Sequence, residues 1–323
     1  MNKWESLGNG VVVPSLTFFH PDFSLDVHNQ KMCYDHIIAN KADCIFLLSS
    51  TGEGSFIHQN LALEEFLLEF SSKVLPSKIF LAVGCFGEST KEIIKDMNSK
   101  MKYSRIDAFV ITPPRNTHIN SEDCAKMLIE VANYAEKPVF LYNNPENFNG
   151  NEIPIDFLPV FAQHENIIGI KDSSSSFMYK KKCITFLSEK FWFLTGKEGD
   201  LGSLILETPR KKREFIGVVP SLGNLVNIYY QILQNRENDE KVKILQAEVN
   251  SWRDNFYDLS MRKGKAQRGL KISLEILYYQ NVQFQPIVSP ELRSSPSSNF
   301  IENVRVWLPK LIKRGFITVV GDK

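Results

Sequence analysis

Lys171 stands at the exit of a short apolar run, in the stretch FAQHENIIGIKDSSSS over residues 161–176. Ile167, Ile168 and Ile170 are β-branched and bounded by turn residues, the pattern of a buried strand in a parallel sheet. An ammonium group at the end of such a strand is partly desolvated, which disfavours its charge, lowers its pKa and exposes a nucleophilic amine. The same lysine could instead snorkel to solvent or pair with Asp172 as a structural ion pair. A phenol, Tyr142, ends another apolar run, PVFLY at 138–142, and is followed by Asn143, Asn144 and Pro145. Taken alone it reads equally well as an ordinary interfacial tyrosine. The run Ser49-Ser50-Thr51-Gly52-Glu53-Gly54 offers hydroxyls and glycine-flanked backbone N–H groups that could surround a carboxylate. An amine, a phenol and a carboxylate cradle facing one cavity are what Schiff-base chemistry on a 2-oxo acid needs. The amine attacks the ketone, the cradle orients the carboxylate, and the phenol moves protons through carbinolamine and enamine.

Such groups must be carried to one place by the elements between them. Apolar, β-branched runs at 10–17, 43–49, 78–84, 106–112, 138–142, 167–170, 191–195 and 215–219 read as eight strands. Helical periodicity separates most of them, at 26–40, 59–75, 89–103, 121–135, 155–163 and 199–207. Alternating strands and helices argue for an α/β protein, a (β/α)8 barrel, because parallel strands need crossover helices and a closed ring leaves no sheet edge. A doubly wound open sheet is the alternative. From Leu222 onward the pattern is helical only, at 225–234, 240–259, 264–280 and 299–314, with a Ser/Pro loop at 289–298. The expected organisation is therefore a barrel over residues 1–224 with a C-terminal helical extension over 225–323. In a barrel the C-terminal strand ends and their loops form the active site. Thr195-Gly196-Lys197-Glu198 and Pro220-Ser221 occupy such ends alongside Tyr142 and Lys171. The basic run 210–213 reads as a solvated loop, or as a contact for a phosphate or carboxylate.

Composition narrows the partners. Across 323 residues, 38 Lys and Arg face 37 Asp and Glu, so nothing in the charge balance calls for nucleic acid or an anionic membrane. The partner expected is a small molecule. The five cysteines, Cys33, Cys44, Cys85, Cys124 and Cys183, form no CxxC pair and mostly sit in apolar segments. They read as free thiols of a reducing compartment, with no metal or disulfide role. No stretch approaches the length of a membrane span and no signal core opens the chain, which points to the cytoplasm.

The residues Gly10-Val11, Ser50-Thr51-Gly52-Glu53, Tyr142-Asn143-x-Pro145 and Gly169-Ile170-Lys171-Asp172-Ser173, in that order and spacing, resemble the dihydrodipicolinate synthase / N-acetylneuraminate lyase family. The resemblance covers essentially the whole chain. It implies a class I aldolase barrel that uses no metal or separate cofactor, usually a homotetramer and otherwise a homodimer, whose lysine forms a Schiff base with pyruvate. Carried over, Lys171 would be the Schiff-base lysine and Tyr142 the proton-transfer phenol. Ser50 and Thr51, with the Gly52 turn, would bind the pyruvyl carboxylate, and Ser173, Gly196, Glu198 and Ser221 would face the variable part of the substrate.

The departures from the resemblance bear on substrate. The synthase branch carries Thr-Pro-Tyr-Tyr after strand four, where this chain has Thr112-Pro113-Pro114-Arg115. It also carries an arginine after the Tyr-Asn-x-Pro turn, where this chain has Glu146-Asn147-Phe148-Asn149-Gly150. These differences favour an aldolase or lyase acting on a 2-oxo sugar acid, of the 2-keto-3-deoxygluconate or N-acetylneuraminate type, with pyruvate and an aldehyde as the other reactants. The alternatives are the synthase itself, condensing pyruvate with aspartate semialdehyde, and a relative that has lost catalysis.

Overall fold

The computed structural model describes residues 7–259, 264–279 and 296–321. Eight strands run β1 Val12–Pro14, β2 Cys44–Leu47, β3 Phe80–Gly84, β4 Ala108–Ile111, β5 Val139–Asn143, β6 Ile167–Asp172, β7 Trp192–Thr195 and β8 Ile216–Val218. They pair in parallel in strict sequence order, and a parallel bridge between Val11 and Val218 brings the two ends of the sheet together. Helices α1 (Val27–Ala39), α2 (Gly54–His58), α3 (Leu61–Val74), α4 (Thr90–Met101), α5 (Ser121–Tyr134), α6 (Leu158–Gln163), α7 (Phe177–Cys183) and α8 (Leu201–Glu207) fill the crossovers. After β8 come α9 (Ile228–Gln234), α10 (Asp239–Trp252), α11 (Lys265–Tyr279) and α12 (Ser298–Lys313). This is the (β/α)8 barrel with a C-terminal helical extension that the alternation implies.

The helix starts are written locally. Asp26, Asn60, Ser89, Asn120, Ser176 and Asn238 each accept the N–H three residues on, closing the first turn of α1, α3, α4, α5, α7 and α10. The apolar residues divide by strand alternation into two cores. Val12, Phe46, Ala82, Val110, Phe140, Ile168, Trp192 and Leu194 fill the barrel. Val13, Ile45, Leu81, Val83, Phe109, Leu141, Ile170 and Phe193 pack outward against the helices.

Two helices are absent from the periodicity. α2 is five residues long and lies where the sequence reads as a glycine turn. α7 is seven residues with three consecutive lysines, too short and too charged to display an apolar stripe. The helical pattern at 240–259 stops at Trp252 and tightens into a 3-10 turn, Arg253–Phe256. The Ser/Pro loop at 289–298 lies outside the described residues up to position 295. The basic run 210–213 opens a 3-10 helix, Arg210–Phe215, that leads into β8, so it sits at the N-terminal end of the strands. Its Arg213 is buried, donating to Thr208 O and Arg236 O and pairing with Asp239 at 2.6 Å. That corrects any expectation of a substrate contact: the run staples the α8–β8 connection to the start of α10. All five cysteines are buried and unpaired. No helix among the described residues is long and apolar enough to cross a membrane.

Candidate active site

Lys171 and Tyr142 are direct register partners across β5 and β6. What puts them on one face is an irregularity lower down. Val139 pairs with Ile167 but Phe140 pairs with Gly169, so Ile168 is an extra residue in β6. Both Ile168 and Phe140 point into the barrel, and Ile170 points out. Simple alternation from Ile168 would send Lys171 outward; the bulge shifts the phase by one and turns it inward. A side chain at position 169 would overlap the Trp192 carbonyl oxygen, so the bulge passes β7 only as glycine.

The Lys171 side chain ends in the barrel, 7 % exposed, with Nζ 3.7 Å from the Tyr142 ring centroid and 5.4 Å from that of Phe46. Burial pushes its pKa down, with the Arg115 charge adding to the effect against the opposing pull of Tyr142 and Asp172. For Tyr142, burial acts to raise the pKa, yet the Lys171 ammonium and the side chains of Ser173, Asn144 and Ser50 within bonding reach bring it below its ordinary value. Asn144 Nδ2 donates to the phenol oxygen at 2.8 Å. A depressed amine facing a depressed phenol is suited to passing one proton between them.

The alternate residues of the same two strands face outward and hold them. Asn143 and Asp172 are also register partners. Asn143 donates to Asp172 at 2.7 Å and accepts from Ile153 N at 2.9 Å. Asp172 further takes Ser174 Oγ at 3.0 Å and the buried Lys180 ammonium at 3.2 Å. Asp172 thus pairs with Lys180, on the opposite side of the strand from the Lys171 side chain.

At the β2 exit, Leu48 and Glu53 take left-handed backbone conformations, φ 58° and 59°. Between them the chain folds tightly: Gly52 N donates to Ser49 Oγ at 3.0 Å, Thr17 Oγ1 donates to Gly52 O at 2.9 Å, and a Cβ on Gly52 would stand 2.5 Å from Ser15 O. Thr51 Oγ1 shares a 2.8 Å hydrogen bond with Ser221 Oγ from the β8 exit. The turn is fastened by α11, whose Gln267 donates to Ser50 O at 2.8 Å and whose buried Lys271 pairs with Glu53 at 2.6 Å.

At the β7 exit, Gly196 N donates to Asp172 O at 2.7 Å, and the missing side chain of Gly196 leaves room for the Ser173 hydroxyl. Ser50, Ser173 and Gly196 thereby gather around Tyr142 and Lys171, while Thr51 and Ser221 pair at the rim. Glu198, expected to face the variable part of the substrate, is engaged elsewhere. Its carboxylate accepts Leu222 N at 2.8 Å, Tyr229 OH at 3.0 Å and Tyr257 OH at 2.6 Å, so it ties β7 to the C-terminal helices. Burial raises its pKa against the pull of those donors.

Asn144, Phe46 and Phe148 also border Lys171 and Tyr142, although no pattern in the sequence marks them. Phe148 meets Tyr142 edge to face at 5.3 Å, in the segment where the synthase branch carries an arginine. His58, Glu64 and Asp96 bring ligand-type atoms within 4.8 Å of one another, but Lys100 stands 3.0 Å from Glu64 and 2.5 Å from Asp96 as their counter-charge.

The sequence pattern of the dihydrodipicolinate synthetase family matches residues 8–286. The chain belongs to that family. A 4-hydroxy-tetrahydrodipicolinate synthase of Ligilactobacillus salivarius is 25 % identical over 162 residues, 50 % of this chain and 55 % of that protein. The Escherichia coli protein named probable 2-dehydro-3-deoxy-D-pentonate aldolase YjhH is 27 % identical over 168 residues, 52 % of this chain and 55 % of its own. The chain thus spans little more than half the length of these curated relatives. In fold, YagE of E. coli, a family member solved in complex with pyruvate, superposes with TM-score 0.78 at 20 % identity, covering 94 % of this chain and 98 % of YagE. Synthases and aldolases therefore both stand among the family members that this chain resembles.

Proposed function

We propose that the chain is a pyruvate-dependent class I aldolase that makes or cleaves a 2-oxo sugar acid, with Lys171 as Schiff-base lysine and Tyr142 as proton carrier. The observation that carries this reading is the inward Lys171 amine, 3.7 Å from the Tyr142 ring, with its charge disfavoured by burial. The neutral amine adds to the ketone carbon of pyruvate, and the Tyr142 phenol protonates the departing oxygen, which leaves as water to give the imine. The Tyr142 phenolate takes back a methyl proton to give the enamine, whose carbon attacks the aldehyde; the restored phenol protonates the new alkoxide, and water then releases the product and the free amine. Cleavage is the same sequence reversed. Ser50 and Thr51 would hold the pyruvyl carboxylate, with Ser173, Gly196 and Ser221 toward the aldehyde half. No cofactor is needed beyond the covalent substrate itself.

The sugar-acid reading, of 2-keto-3-deoxygluconate or N-acetylneuraminate type, is supported by the segment Glu146-Asn147-Phe148-Asn149-Gly150 and by Pro114-Arg115, which stand where the synthases carry their arginine and tyrosines. The relative named as a pentonate aldolase agrees with it. A cytoplasmic homotetramer or homodimer completes the proposal, and light scattering on the purified chain reads the assembly. The deciding experiment is borohydride reduction with pyruvate followed by peptide mapping. An adduct on Lys171, and turnover with sugar aldehydes exceeding that with aspartate semialdehyde, is the expected result. Absence of an adduct from folded protein overturns the enzyme reading, and preference for aspartate semialdehyde makes it the synthase.

A further inference from the structure

Arg115, just past β4 at the same end of the barrel as Lys171, carries a charge that forms no ion pair among the described residues. Its guanidinium carbon lies 4.5 Å from the Phe86 ring centroid and 5.3 Å from that of Phe148. Phe148 in turn touches Tyr142, so one ring separates the cation from the phenol. One terminal nitrogen donates to Ser55 Oγ at 2.8 Å, whereas Nε is buried without an acceptor among the described residues.

The Glu88 carboxylate in the same loop cluster does not neutralise the guanidinium. Its oxygens accept Arg115 N at 3.2 Å, Asn116 N at 2.9 Å, Asn116 Nδ2 at 3.0 Å and Thr117 N at 3.0 Å. The platform beneath the cation is fixed: Phe86 stacks on His58 at 4.7 Å and its N–H donates to Asp96 at 2.7 Å. A guanidinium held by two rings has already lost much of its rotamer freedom and presents its donors as a planar fork. A buried, unanswered N–H on such a fork is costly unless something else fills it.

Resting on the Schiff-base reading, we propose that Arg115 anchors an oxyanion, carboxylate or phosphate, on the aldehyde half of the substrate, using Nε and the free edge of a guanidinium held by Phe86 and Phe148. The partner of pyruvate is then an anionic sugar aldehyde, phosphorylated or carboxylated, which narrows the sugar-acid reading to acids that release a charged aldehyde. Burial lowers the Arg115 pKa against the pull of Tyr142 and Glu88, and its charge reaches Lys171, which agrees with a cation lying beside the reacting groups.

The test compares wild type, Arg115→Met and Arg115→Lys on pyruvate with glyceraldehyde 3-phosphate, succinic semialdehyde and neutral glyceraldehyde. In Arg115→Met the ratio of kcat/KM for the anionic aldehyde to that for glyceraldehyde should fall roughly 10- to 100-fold, with partial recovery in Arg115→Lys. The ratio that falls tells phosphate from carboxylate. Equal losses on all three aldehydes, or none, overturn the proposal. Borohydride trapping of pyruvate by wild type reports the underlying reading separately. Should no adduct form, calorimetry with glycerol 3-phosphate and succinate still decides: weaker binding to Arg115→Met than to wild type supports the anchor, while equal binding, or none to wild type, overturns it.

Discussion

Lys171 faces Tyr142 because Ile168 has no partner: one supernumerary residue in β6, opposite the Val139–Phe140 step of β5, brings the lysine into phase with the tyrosine. The chemistry of the site thus hangs on a backbone irregularity two to three residues below the lysine. The outward Asn143–Asp172 pair holds that phase from behind.

Gly169→Ala tests the bulge. The added methyl would press on the Trp192 carbonyl oxygen, so β6 must shift against β7. The variant should lose roughly 1–3 kcal/mol of stability, the usual cost of an overpacked interior, and pyruvate trapping at Lys171 should fall more than ~10-fold. Chemical denaturation and mass-mapped trapping measure the two effects; full trapping would dissociate the bulge from the site.

Tyr142→Phe keeps the ring packed on Phe148 while removing the hydroxyl that Asn144 holds. Turnover should drop by about 10²–10⁴, the span of general acid–base contributions, with most pyruvate binding retained. Unchanged turnover would sink the proton-carrier role.

Lys171→Met should abolish trapping and make the protein more stable, by about 1–2 kcal/mol, since a buried amine gives way to an apolar chain of similar length. The sign with pH follows from the lowered pKa. Between the folded and unfolded pKa the unfolded chain binds a proton that the folded chain does not, so wild-type stability rises with pH there. The advantage of the methionine variant should be largest in acid and shrink as the solution becomes alkaline, as thermal melts across pH would show.

Two buried groups far from the site oppose each other in mild acid. Asp43, accepting Asn9 N and Val11 N, is raised to about 6 chiefly by burial, and His36, against Tyr278 OH and Leu225 O, is lowered to about 4 chiefly by burial. The Asp43 contribution is present below the unfolded value of 3.8 and is lost as pH rises through about 6. The His36 contribution is present above 6.5 and is lost as pH falls through about 4. Relative to wild type, Asp43→Asn should gain stability with rising pH between those limits and His36→Gln should lose it. Parallel slopes in the two variants would refute the assignment.

Much of this architecture is visible in the residues themselves. β-Branched runs, N-cap residues and helical stripes mark eight strands and most helices, because those signals are local. The bulge is not visible: in IIGIK every residue before the lysine is apolar or glycine, so no alternation reveals which face Lys171 takes. Glu198 misleads for a different reason. Its partners Tyr229 and Tyr257 lie 31 and 59 positions away, on elements whose docking no local pattern encodes. Arg115 stands out only as a departure from a motif, since its two aromatic neighbours come from separate loops.

The bonds from Gln267 to Ser50 and from Lys271 to Glu53 span 217 and 218 positions. On a ribosome, the Ser50–Thr51 turn emerges long before α11 and waits for that helix before its fastenings exist. Strands, by contrast, find their neighbours as each successive unit appears, since the sheet follows chain order. A nascent chain therefore acquires its ring before the Ser50–Thr51 turn is fastened, so that turn takes its final shape only after the eight strands around it are in place.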